Sequence, residues 1–205
     1  MAERDRKKRK GRHDSTRERR HMILVVSERE VSEPKYFRGL INWAKNPRVA
    51  IEFSPHHGDP KHLVEKAKQR QSDQAAQAKR ERDDNLLFDE VWCVFDVDSH
   101  ERIPEAKQMA KANGIDVAIS NPCFELWRVL HFQDSPGAID RSKLPSLLRK
   151  NKVDSGKDLN FDDYGPKIED AKRRSQKLDE LAERDGEPGR NPTTGVYKLV
   201  ESIQR

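Results

Sequence analysis

Apolar residues along this chain gather in short runs separated by longer polar stretches of helical period. The runs Met22-Ile23-Leu24-Val25-Val26, Val91-Trp92-Cys93-Val94-Phe95 and Ile115-Asp116-Val117-Ala118-Ile119 have the length of buried strands. Val49, Ile51 and Phe53 alternate with polar neighbours, as a half-buried strand does. Between the first two strands, Glu33-Pro34 opens a helix with Tyr36, Phe37, Leu40, Ile41 and Ala44 at helical spacing, and Asn46-Pro47 ends it. Asp59 can cap a second helix starting at Pro60 and running as far as Arg82. Beyond Ala67 that helix has nothing apolar larger than alanine, which predicts a protruding helix. Phe88 to Asp98 reads as the third strand, and Ile103 to Asn113 as a helix closed by Gly114. The fourth strand reaches Ser120, and Pro122 to Phe132 forms a helix with an apolar face of Leu126, Val129, Leu130 and Phe132.

The resulting β-α-β-α-β-α-β-α order predicts an α/β fold with a parallel sheet flanked by helices and joined by right-handed crossovers. From Gln133 onward the pattern is polar and helical, with Leu144-Leu148, Ile168 to Ala182 and Val196-Leu199-Val200-Ile203 as its apolar stripes. The expected organisation is a basic tail over residues 1–21, an α/β core over 22–132 and a helical extension over 133–205 packed on that core. There is no internal repeat, no Gly-rich phosphate loop and no G-x-G-x-x-G.

Charge changes the picture at one end. Residues 1–21 carry ten Lys/Arg against four acids, a net of +6, so of the whole-chain +5 only about −1 belongs to the rest. A segment so poor in apolar side chains is expected to be disordered when free, and to act either as a solubilising extension or as an arm that neutralises nucleic-acid phosphates. The absence of an apolar signal core or a run near ~18 apolar residues speaks against export and membrane insertion. Cys93 and Cys123 lie in apolar segments without zinc-site spacing, which fits a reduced, cytoplasmic protein.

The candidate chemistry follows from where the acids fall. Ser27-Glu28 follows the first strand, Asp96-Val97-Asp98 ends the third, and Glu125 stands in Asn121-Pro122-Cys123-Phe124-Glu125-Leu126-Trp127 after the fourth. In an open parallel sheet the carboxyl ends of the strands line one crevice, so acids distant in sequence can converge there. Asp96 and Asp98 share a face while the strand continues, a hard-oxygen pair suited to Mg²⁺ or Mn²⁺; the bland alternative is a solvated pair opening a loop. Glu28 would be a third ligand or a general base, while Glu125 would be a ligand or the partner of Arg128 three residues on. Asn121 can donate to a phosphate. His100, His131 and His56-His57 are weaker candidates, since a lone histidine is more often structural.

The stretches Ile23-Leu24-Val25-Val26-Ser27-Glu28, Ser32-Glu33-Pro34-Lys35-Tyr36-Phe37, Val94-Phe95-Asp96-Val97-Asp98, Ser120 to Trp127, His131-Phe132 and Asn191-Pro192-Thr193-Thr194-Gly195-Val196 resemble the RloB family. The resemblance implies a Toprim-like fold and a place in bacterial anti-phage or abortive-infection systems, often beside an ATPase of the ABC/AAA type called RloA. It also implies Mg²⁺-dependent phosphodiester chemistry carried by Glu28, Asp96 and Asp98. Arg29 stands where a Toprim motif usually has glycine. The expected function is a metal-dependent nuclease acting on DNA or RNA. Glu28, Asp96 and Asp98 would be catalytic, Glu28, Asp96, Asp98 and Glu125 would hold the metal, and Arg29, Lys35, Arg38 and Asn121 would contact substrate. The alternative is a non-catalytic subunit that docks on an RloA-like ATPase as sensor or adaptor.

Overall fold

The computed structural model describes residues 20–28, 32–46, 49–55, 59–97, 102–135, 137–153 and 159–205, the side chains of 54 and 55 excepted. Four parallel strands are β1 (His21–Ser27), β2 (Val49–Pro55), β3 (Glu90–Asp96) and β4 (Asp116–Asn121). The short β5 (Thr193–Thr194) runs antiparallel to β4, giving the order β2-β1-β3-β4-β5. Helices α1 (Ser32–Ala44), α2 (Pro60–Glu81), α3 (Ile103–Ala112) and α4 (Glu125–Leu130) follow β1 to β4 in turn. Helices α5 (Leu144–Lys150), α6 (Ile168–Arg184) and α7 (Val196–Gln204) complete the chain.

β1 and β3 are apolar without a break because both faces are covered. Ile23, Val25, Trp92 and Val94 point into one apolar cluster with Tyr36, Phe37 and Leu40 of α1, Leu126, Trp127 and Leu130 of α4, and Leu199, Val200 and Ile203 of α7. Leu24, Val26, Val91, Cys93 and Phe95 point the other way, onto Leu63, Val64 and Ala67 of α2 and Ala106 and Ala110 of α3. The result is a Toprim-like α/β layering with helices on both sides of one sheet. From β1 the chain moves outward to β2, then returns past β1 to β3, so its direction across the sheet reverses between β1 and β3. That reversal opens a crevice at the carboxyl ends of those two strands.

Four expectations need correction. α2 does not protrude: it packs on α3, β1 and β3, and Gln74 and Ala78 in its second half are buried. Arg70 ties it down with a bidentate pair to Glu52 of β2 (2.6 and 2.9 Å), a bond to the Gln74 side chain (2.7 Å) and a stack over Phe88 (5.3 Å). Polar contacts thus do what apolar periodicity would have announced. The second correction is β5, a strand hidden in a stretch expected to be only helical; its Thr194 hydroxyl meets Ser120 (2.8 Å), and its carbonyl accepts from Ser175 of α6 (2.6 Å). Lastly, the helix expected from Pro122 starts at Glu125, and the third strand stops at Asp96, where Val97 N–H bonds to the Ser120 carbonyl (2.9 Å). No helix of the described residues is long and apolar enough to cross a membrane.

Candidate metal centre

The register of the central strands brings the acids to one edge. Ser27 lies opposite Val94 and Asp96 opposite Ser120, so β1, β3 and β4 end side by side. The Glu28 N–H bonds to the Val94 carbonyl (3.3 Å), which extends the β1–β3 pairing by one residue and sets Glu28, half-buried, beside the end of β3.

Asp96 is the last residue of β3 and only 2% exposed. Its Oδ1 accepts the backbone N–H of Phe124 (2.8 Å), the residue before α4. α4 has no side-chain cap of its own, and the acid of a neighbouring strand serves instead. This bond pulls the segment after β4 over the end of β3. It thereby brings Cys123 and Glu125 to Asp96, and one ligand atom from each of the three lies within 4.8 Å of the others.

The electrostatics of this cluster are those of crowded electron-pair donors. Burial pushes the Cys123 thiol well above its ordinary range, and the neighbouring Glu125 carboxylate, to which it is hydrogen-bonded, and the Asp96 charge push it further. Glu125 Oε2 is buried and has no hydrogen-bond partner. A buried carboxylate oxygen without a donor is costly, and two carboxylates beside a sulfur are a set that a cation would satisfy. The residues present therefore fit a divalent ion.

The rest of the apolar stretch Phe124 to Phe132 anchors α4. Tyr36 meets Phe124, Trp127, His131, Phe161 and Tyr164 edge-on with ring centroids 5.1–6.2 Å apart, locking α1, α4 and the 161–164 segment together. His131 is structural: its Nδ1 bonds to the Trp127 carbonyl (2.9 Å) and its Nε2 to the Tyr36 hydroxyl (3.0 Å). Burial drives its pKa down to about 3, so the ring is neutral, donating from Nδ1 and accepting at Nε2. Arg128 donates to the Tyr164 hydroxyl from Nε (3.0 Å) and Nη2 (2.8 Å).

Of the expected substrate contacts, Lys35 and Arg38 lie on the exposed face of α1, with Arg38 over the Phe53 ring (5.4 Å). Asn121 ends β4 and donates to the Gly189 carbonyl (2.9 Å), holding the segment that leads to β5. Asp98, Arg29, His100 and His56-His57 lie outside the described residues. The structure thus brings Asp96 and Glu125 together, sets Glu28 on the adjoining strand end, and adds Cys123. In the sequence Cys123 lies in an apolar segment without zinc-site spacing and is given no ligand role; its signal was its place two residues before Glu125 in the segment leaving β4.

Neither the curated proteins nor the solved structures give a match to this chain. A family model does: that of the RloB-like protein matches residues 23–203, from β1 to α7, and so spans Glu28, Asp96, Cys123 and Glu125. The chain belongs to the RloB-like protein family.

Proposed function

We propose that this protein is a divalent-metal-dependent phosphodiesterase that cuts DNA or RNA, serving as the effector of an anti-phage, abortive-infection system. The observation that carries the reading is the meeting of Asp96, Cys123 and Glu125 ligand atoms within 4.8 Å at the carboxyl end of β3, one of the two strands between which strand order reverses. Asp96 and Glu125 are the oxygen donors for Mg²⁺ or Mn²⁺, and Asp98, two residues beyond Asp96, is a further one. A cation bound there supplies Lewis-acid stabilisation of phosphate charge and lowers the pKa of a bound water. Glu28, on the adjoining strand end, takes the proton of the attacking water. Lys35 and Arg38, on the exposed face of α1, and the basic segment 1–21 neutralise backbone phosphates, which gives affinity without sequence choice and a strong salt dependence.

The test is cleavage of DNA and of RNA by the purified protein with Mn²⁺ or Mg²⁺, with Asp96→Ala as the control against a contaminating nuclease. Cleavage that needs the metal and is lost in the variant is expected. Intact DNA and RNA at every metal concentration, with and without a neighbouring ATPase, would overturn the reading.

A second reading, an adaptor that docks on an RloA-like ATPase, finds support in one feature. Trp43 is 44% exposed, the one large apolar side chain so exposed among the described residues, and borders a cavity of about 710 Å³ between α1 and Phe161. Full defence by Asp96→Ala and loss of defence by Trp43→Ala would favour it.

A further inference from the structure

The chain has two cysteines, and their surroundings differ. Cys93 points into the apolar cluster under α2 and α3, where burial alone raises its thiol to about 12. Cys123 is equally buried, at 1% exposure, yet its sulfur faces the carboxylates of Asp96 and Glu125 rather than hydrocarbon alone. A small apolar residue needs no such neighbours. The Glu125 Oε2 beside it is buried without a hydrogen-bond partner, so the thiol's bond to this carboxylate leaves the acid half satisfied.

We infer that Cys123 is a metal ligand, the sulfur member of a mixed oxygen–sulfur set with Asp96 and Glu125, and that this set favours a borderline transition-metal ion over Mg²⁺. The inference rests on the metal-dependent reading above and narrows it. Mg²⁺ keeps its waters and takes oxygen ligands at near-ideal octahedral positions, so it gains little from sulfur. Thiolate ligands favour Zn²⁺ and related transition ions, of which Co²⁺ is a spectroscopic stand-in. On binding, the S–H bond breaks, its proton leaves to solvent and a metal–sulfur bond forms. The simpler role, a thiol that only donates to Glu125, predicts no sulfur bond to any ion.

The experiment is a Co²⁺ titration of the full chain followed by absorption, in wild type, Cys123→Ser, Cys93→Ser and Asp96→Asn. Wild type is expected to develop a near-ultraviolet sulfur-to-cobalt band that excess Mg²⁺ does not remove. Cys93→Ser keeps it, and Cys123→Ser loses it while still binding Co²⁺ more weakly through Asp96 and Glu125. Should Cys123→Ser not fold, Cys93→Ser has Cys123 as its sole thiol, and the band in that variant assigns the sulfur. Visible cobalt bands without the sulfur band in wild type would overturn this inference and leave the metal-dependent reading standing. No Co²⁺ bound at all would overturn both.

Discussion

Strand β3 carries an acid at each end, and the two are treated in opposite ways. At the amino end, Glu90 accepts from His21 Nε2 (2.9 Å), Trp92 Nε1 (2.8 Å) and the Ser202 hydroxyl (2.6 Å), which staples β1, β3 and α7 together. Burial, the largest single influence on its pKa, pushes it up, yet these donors outweigh burial and hold it below the usual carboxylate range. At the carboxyl end, Asp96 receives the Phe124 N–H and stands beside the thiol of Cys123 and the carboxylate of Glu125, whose Oε2 is buried without a hydrogen-bond partner. A satisfied acid stabilises the fold, whereas a buried carboxylate oxygen without a donor is carried at a cost that a bound cation would relieve. The same strand therefore separates architecture from chemistry along its length.

Removing an acid should have opposite consequences at the two ends. Asp96→Ala is expected to lower metal-dependent cleavage by about 1,000-fold, equivalent to ~4 kcal/mol of barrier. Its folding stability should shift by no more than about 1 kcal/mol, because the lost cap on Phe124 is offset by relief among like charges. A urea melt beside the cleavage assay tests both, and a collapse of the fold would show Asp96 to be architectural. Glu90→Ala should do the reverse, costing about 3 kcal/mol in urea unfolding by stranding partly buried donors while leaving Co²⁺ affinity unchanged. A Glu90→Ala chain with native stability would erase the contrast.

Much of this arrangement is visible in the sequence, because burial on both faces writes β1 and β3 as unbroken apolar runs. The convergence of Asp96 with Glu125 follows from strand ends in a parallel sheet, and the same logic brings Glu28 to the adjoining strand end, though its carboxylate is not among the ligand atoms that meet there. What the sequence conceals is whatever rests on polar contacts. β5 is two threonines whose pairing exists only through β4 and Ser175. The second half of α2 is tied down by Arg70 reaching Glu52, 18 positions earlier, and Gln74. Cys123 is hidden for a different reason: a buried thiol suits hydrocarbon and metal equally well, and only the fold shows which atoms it faces.

The polar core under the site gives a smaller effect, read through pH. The folded chain keeps His131 neutral down to about 3, whereas the unfolded chain takes up a proton near 6.5. Between those values the unfolded state binds more protons, so stability falls on acidification by up to about 1.4 kcal/mol per pH unit from this group. The loss attributable to Glu90 begins only lower, below 4.5. His131→Gln should flatten the slope between pH 6 and about 5, measured as urea midpoints in wild type and variant. An unchanged slope would place the acid sensitivity elsewhere.

The smallest effect belongs to the outer part of the amino-end knot. His21 bonds to Glu90, but its side chain is 40% exposed, so water competes for both partners. Exposed pairs of this kind contribute little, and His21→Ala should cost less than about 1 kcal/mol, because Trp92 and Ser202 still serve the carboxylate. A double-mutant cycle with Ser202→Ala separates the two donors. If the cost at position 21 instead matched that of Ser202→Ala, the knot would act as one cooperative unit, and the stability of the amino end would depend on the pairing of β1 with β3 rather than on the buried hydroxyl alone.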